Sequence, residues 1–117
     1  MHELLIYRKK YDPIESIEDF VDMYYASEMQ YLASDLLDNG LSPIHIREAV
    51  RSAMTACRNA GKEVRRHFSP VYTEQRGTVI NDCKLSKTGY GLVLMNADPE
   101  VPFVANWQLQ VVKSFLD

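Results

Sequence analysis

Arg47, Arg51, Arg58, Lys62 and Arg65 are the residues whose types and spacing most plainly offer chemistry. On a helix turning ~100° per residue they fall within roughly 60° of one another. A basic stripe of that kind neutralises phosphate oxygens, the main source of affinity for a nucleic acid. The charge is also local. From Tyr11 to Ile46 there are eight Asp or Glu and no Lys or Arg, whereas Arg47 to Thr88 carries nine Lys or Arg against Glu48, Glu63, Glu74 and Asp82. Arg66, Arg76, Lys84 and Lys87 extend the basic stretch past the stripe. Arg-rich exposed helices are common, and a solvated flank is the plain alternative; the basic residues that follow favour a binding face.

Other reactive side chains point nowhere so definite. His2, His45 and His67 are scattered, with no Cys or carboxylate at metal-ligand spacing, and His67 reads as a half-buried structural histidine. No nucleophile elbow, phosphate loop, zinc motif or paired-carboxylate motif occurs. Cys57 falls on the apolar side of its helix, and Cys83 has no metal-type neighbour; both read as reduced, buried thiols. The sequence therefore implies a binding protein rather than an enzyme, and calls for no cofactor or metal. The acidic stretch from Asp12 to Asp38 reads as an exposed helical face. Its sharper interpretation is a nucleic-acid mimic, or a surface that docks on a basic host protein.

The 117 residues are enough for one domain with an ordinary core. A net charge of −3 argues against non-specific coating of nucleic acid, yet allows a local basic face. The apolar runs are too short to span a membrane, and Met1-His2-Glu3 does not open a signal peptide. A cytoplasmic protein with no membrane partner is expected.

The elements that must position the stripe follow from local signals. Leu4 to Tyr7 reads as a short strand, followed by Arg8-Lys9-Lys10 and a turn at Asp12-Pro13. Ser16 with Asp19 predicts a helix start, burying Ile17, Phe20, Val21, Tyr24 and Met29 while Glu18, Asp19, Asp22 and Glu28 face water. Leu32, Leu36 and Leu37 would extend the same pattern to Asp38-Asn39-Gly40, where Asn or Gly supplies a left-handed cap. Ser42-Pro43 restarts a helix that buries Ile46, Ala49, Val50, Ala53, Cys57 and Ala60. If Gly61 ends it, Lys62 and Arg65 leave the stripe and three arginines stay aligned. Two β-prone runs around Gln75-Arg76-Gly77 predict an antiparallel hairpin, and Ser86 caps a third helix through Met95. Gly89 and Gly91 within that helix point to close packing. A turn from Asn96 to Pro102 leads to a last helix, Phe103 to Leu116, with Val104, Val111 and Phe115 on one apolar stripe. Phe103 and Trp107 widen it and are candidate dimer contacts.

The residues AMTACRNAGKEVRRHF, Ala53 to Phe68, resemble the stretch before the hairpin in the DNA-damage-inducible protein D family. The likeness is closest in LSKTGYGLVLMNADP, residues 85–99, and reaches Val104-Ala105 and Gln108; Ala33-Ser34-Asp35-Leu36-Leu37 is a weaker match upstream. The same order of elements is similar to the BRO-N module of phage and viral antirepressors. The resemblance covers roughly residues 31–117 and leaves the first thirty residues as an N-terminal extension. It departs from the family at Leu109-Gln110-Val111-Val112, where a Tyr-Phe and basic run usually stands.

Together these observations predict a single BRO-N-like α+β domain over residues 1–117, mostly helical with a small antiparallel hairpin and a third strand drawn from the N-terminus. The resemblance implies a small phage or mobile-element regulator that binds DNA, or a DNA-bound protein, through the Arg47–Lys87 face. The alternative is a protein-only antagonist of a host repressor, recombinase filament or defence nuclease, acting through its acidic N-terminal face. A homodimer is expected.

Overall fold

Four α-helices, two 3-10 segments and a three-stranded sheet make up residues 13–117, the part of the chain that the computed structural model describes. They are α1 (Pro13–Ser27), β1 (Tyr31–Leu32), a 3-10 helix (Ala33–Asn39), α2 (Pro43–Asn59), a 3-10 turn (Val64–Arg66), β2 (Phe68–Gln75), β3 (Thr78–Leu85), α3 (Lys87–Met95) and α4 (Pro102–Leu116). The class is α+β, as expected. The expected strand at Leu4 to Tyr7 and the turn entering at Asp12 lie outside the described residues. Among those residues no helix is long and apolar enough to cross a membrane.

Helix α2 begins where Ser42 Oγ accepts the His45 amide hydrogen at 3.2 Å and Pro43 opens the first turn. Ile46, Ala49, Ala53 and Cys57 are buried along its inner side, and Val50 is half-buried. The helix stops at Asn59 because Gly61 adopts φ +76°. The Lys62 amide then donates to the Cys57 carbonyl and the Gly61 amide to that of Arg58, the two bonds of a Schellman cap. Ala60, expected on the buried side, is exposed because it lies past that end.

The hairpin pairs β2 with β3 from Phe68↔Leu85 to Gln75↔Thr78, leaving Arg76-Gly77 as a two-residue loop. Both loop residues have positive φ, 52° and 80°, the geometry of a type I′ turn. Strand β1 adds to the free edge of β3, so the sheet order is β1-β3-β2 and the third strand comes from Tyr31–Leu32. At the base of the sheet Phe68 and Leu85 enter the core, where they join Leu36, Val93, Leu94 and Val104. Ser86 Oγ accepts the Gly89 amide hydrogen at 2.9 Å and starts α3, which packs on the small-residue side of α2. Gln108 of α4 donates to the Leu94 carbonyl at 2.9 Å, tying the last helix to the end of α3.

The first helix departs most from expectation. It starts at Pro13, three residues before the anticipated cap at Ser16, and ends at Ser27, so the Leu32, Leu36 and Leu37 pattern, which leaves its end open, belongs to separate elements. Pairing of Tyr31 and Leu32 with β3, and stacking of the Tyr31 and Tyr90 rings at 4.4 Å, hold the following residues in a strand. Ile17, Phe20 and Tyr24 are exposed, Val21 is half-buried, and the buried residues are Ala26 and Met29. The orientation follows from polar contacts: α1 lies against β2 and the Val64–Arg66 turn, with Glu18, Asp22 and Tyr25 facing Arg65 and Arg66.

Candidate partner-binding face

Arg47, Val50, Arg51, Met54, Thr55 and Arg58 recur every three or four residues along α2 and so share one side of it. Together they line a shallow, open groove of 310 Å³. Val50 and Met54 pack against the core from its floor, and the three arginines stand exposed around them. None of the three forms an ion pair among the described residues. Thr55 Oγ1 donates to the Arg51 carbonyl at 3.1 Å, so its hydroxyl is satisfied within the helix. The arrangement offers unspent guanidinium donors around an apolar strip.

The other expected members of the stripe go elsewhere. Lys62 lies past the Schellman cap, exposed and off the helix. Arg65 Nη1 reaches Glu18 Oε2 at 2.6 Å and Asp22 Oδ1 at 3.6 Å, while its Nε lies 3.6 Å from Glu63 Oε2. The Glu18 hydrogen bond holds the Arg65 guanidinium above its ordinary range, although burial opposes it. Arg66 sits 5.2 Å from the centre of the Tyr25 ring, and Arg65 lies 5.7 Å from the same ring. Both side chains therefore serve the junction with α1. Arg76 occupies the hairpin tip, Lys84 is half-buried in β3 opposite Ser69, and Lys87 is exposed at the start of α3. The one continuous stripe is thus reduced to Arg47, Arg51 and Arg58, because the chain turns at Gly61 and α1 captures the next two arginines.

The remaining candidates are committed to structure. His67 is half-buried, with Nδ1 2.7 Å from Ser86 Oγ, and its carbonyl accepts the Ser86 amide hydrogen. Cys57 is buried, and burial pushes the Cys83 thiol up to about 12, with the Ser69 backbone opposing and Asp82 adding. Neither thiol is poised as a nucleophile. Phe103 and Trp107 are half-buried against the core, the Trp107 ring lying over Gly91, so they are largely occupied within the fold. Among the described residues no group of three or more His, Cys, Asp or Glu is placed to hold a metal ion.

One polar centre had no sequence signal. Asp82 accepts hydrogen bonds from the Ser34 amide at 3.1 Å, from Ser34 Oγ, and from Thr73 Oγ1 at 2.9 Å. Thr73 is fully buried, so Asp82 satisfies a hydroxyl that water cannot reach. It ties the 3-10 helix to both hairpin strands. The chain matches no protein-family model, no curated protein and no solved structure.

Proposed function

We propose that this chain is a small regulatory protein of a phage or mobile element, acting in the cytoplasm of a bacterial host. It binds DNA, or a protein held on DNA, through the arginine face of α2. The observation that carries this reading is the contrast within one basic segment. Arg65 and Arg66 are bound to α1, whereas Arg47, Arg51 and Arg58 stay exposed and without ion-pair partners among the described residues. Guanidinium groups left free on a helix carry the phosphate contacts that position a duplex. Arg76, at the end of a projecting hairpin, supplies a further contact. The half-buried Val50 and Met54 between the arginines also suit a protein surface, which favours the DNA-bound protein as the second form of the same reading. Action through the acidic face of α1 is less supported, since Glu18 and Asp22 already hold Arg65.

The test is the triple charge reversal Arg47→Glu, Arg51→Glu and Arg58→Glu, followed by mobility-shift titrations at several salt concentrations. These side chains are exposed and form no ion pair among the described residues, so the variant should stay folded, its unfolding temperature lowered modestly by the reversed charge in the last turn of α2, yet lose binding. If each arginine neutralises one phosphate, the slope of log K against log salt should become shallower by about 3. Unchanged affinity and slope in a folded variant would reduce α2 to a solvated flank.

A further inference from the structure

Beside the arginine row of α2 lies an apolar row, and a phosphate backbone answers only the first. On a turn of ~100° per residue Arg47, Arg51 and Arg58 fall within roughly 40°. Met54 and Val50 follow within roughly 60° more, on the side toward the core. At ~1.5 Å per residue the arginine row runs about 16 Å, so both rows lie along the helix axis. The arginines are exposed and form no ion pair among the described residues, while Val50 and Met54 are half-buried along the same shallow groove. Glu48, the single carboxylate on α2, lies beyond Arg51 on the side away from the apolar row.

The chain itself shows how its arginines are taken. Glu18 and Asp22, four apart on α1, reach Arg65 at 2.6 and 3.6 Å, and the Tyr25 ring, three residues further on, lies 5.7 Å from the same guanidinium. One side of a helix thus supplies both the carboxylates and the apolar contact. Arg47 and Arg51 are also four apart, and among the described residues no helix covers them.

We infer that the α2 face takes an acidic amphipathic helix of a partner protein. Its row of Asp or Glu lies on the arginines, and its apolar row covers Val50 and Met54. The inference rests on the α2 reading proposed above and names the partner's chemistry. Charge selects an acidic occupant, and the two parallel rows select a helix, whose side chains return to one side every three or four residues. An extended acidic segment turns alternate side chains away. A duplex would meet the arginines with phosphates and leave the apolar row against water.

Fluorescence anisotropy with a labelled helical peptide, one row of Glu beside one row of Leu, tests this, with a duplex titrated in parallel. The native chain should bind the peptide. A version with Gln for Glu should bind about tenfold or more weakly, and so should one with Gln for Leu. Met54→Gln should weaken the original peptide, and the triple reversal of Arg47, Arg51 and Arg58 should abolish its binding. The peptide changes decide the matter even where Met54→Gln does not fold. Peptide binding without duplex binding supports the inference and leaves the protein form of the reading above. Duplex binding through α2 without peptide binding overturns the inference and leaves the DNA form, and binding of neither overturns both. Peptide binding that survives the triple reversal, or that is unchanged by Gln for Leu, also overturns the inference.

Discussion

Two glycines two residues apart in α3 behave as opposites, and the difference lies in what each one faces. A Cβ added at Gly89 would meet the His67 carbonyl oxygen at 2.4 Å, a backbone atom fixed by its bond to the Ser86 amide. A Cβ at Gly91 would meet the Trp107 ring at 3.7 Å, an ordinary contact. Gly89→Ala should therefore destabilise the fold by about 1–3 kcal/mol through forced displacement of α3 from the hairpin. Gly91→Ala should stabilise it by about 0.5–1 kcal/mol, the helix propensity of Ala over Gly. Urea unfolding of the two variants checks this, and a shared sign would refute the assignment of roles. From sequence both glycines imply close packing, since neither pattern nor propensity reveals which one touches backbone. The caps at Ser42 and Ser86 were legible because each bonds an amide three residues on. The Arg65–Glu18 and Ser34–Asp82 contacts were not, because they join residues 47 and 48 positions apart.

At the level of elements, legibility follows the same division between local and distant causes. The ends of α2, the hairpin turn and the start of α3 each carry their own stop or start residue, and each stands where its residue predicts. Helix α1 does not, because its orientation depends on arginines from beyond α2, and Ile17, Phe20 and Tyr24 of its expected apolar face are turned outward. The hairpin turn supplies an element-scale prediction. A type I′ loop needs positive φ at both central positions, which Asn-Gly meets readily, yet here the first is Arg76 at φ 52°. Left-handed backbone costs a residue with a long side chain on the order of 1 kcal/mol more than Asn or Gly. Arg76→Asn should raise the stability by about 0.5–1 kcal/mol in thermal or urea unfolding. The same variant should bind its partner less well in the mobility-shift titration if the tip makes a contact. A gain in stability without any loss of affinity would place Arg76 outside the binding face.

Over the whole molecule, the acidic first part and the basic middle are not two independent surfaces, since Arg65 joins them and leaves α2 as the open basic face. Alkaline pH probes the interior instead. Burial raises the Cys83 thiol from an ordinary 9.0 to about 12, and raises the Tyr90 hydroxyl as well, with Asp35 and Tyr31 adding to the latter. Both groups lose their protons more readily in the unfolded chain, so the folded chain binds more protons above pH 9.0. Their contribution to stability is complete below the unfolded values and is lost as pH rises through the folded ones. For Cys83 alone the slope approaches about 1.4 kcal/mol per pH unit within that window. Urea midpoints taken from pH 9.0 upward should therefore fall, and fall less steeply in Cys83→Ala. The two proteins differ at residue 83 alone, so the difference between the two curves isolates the half-buried Cys83 thiol. Parallel curves would mean that Cys83 ionises as freely in the sheet as in the unfolded chain, and that β3 is open to water where it packs beside Asp82.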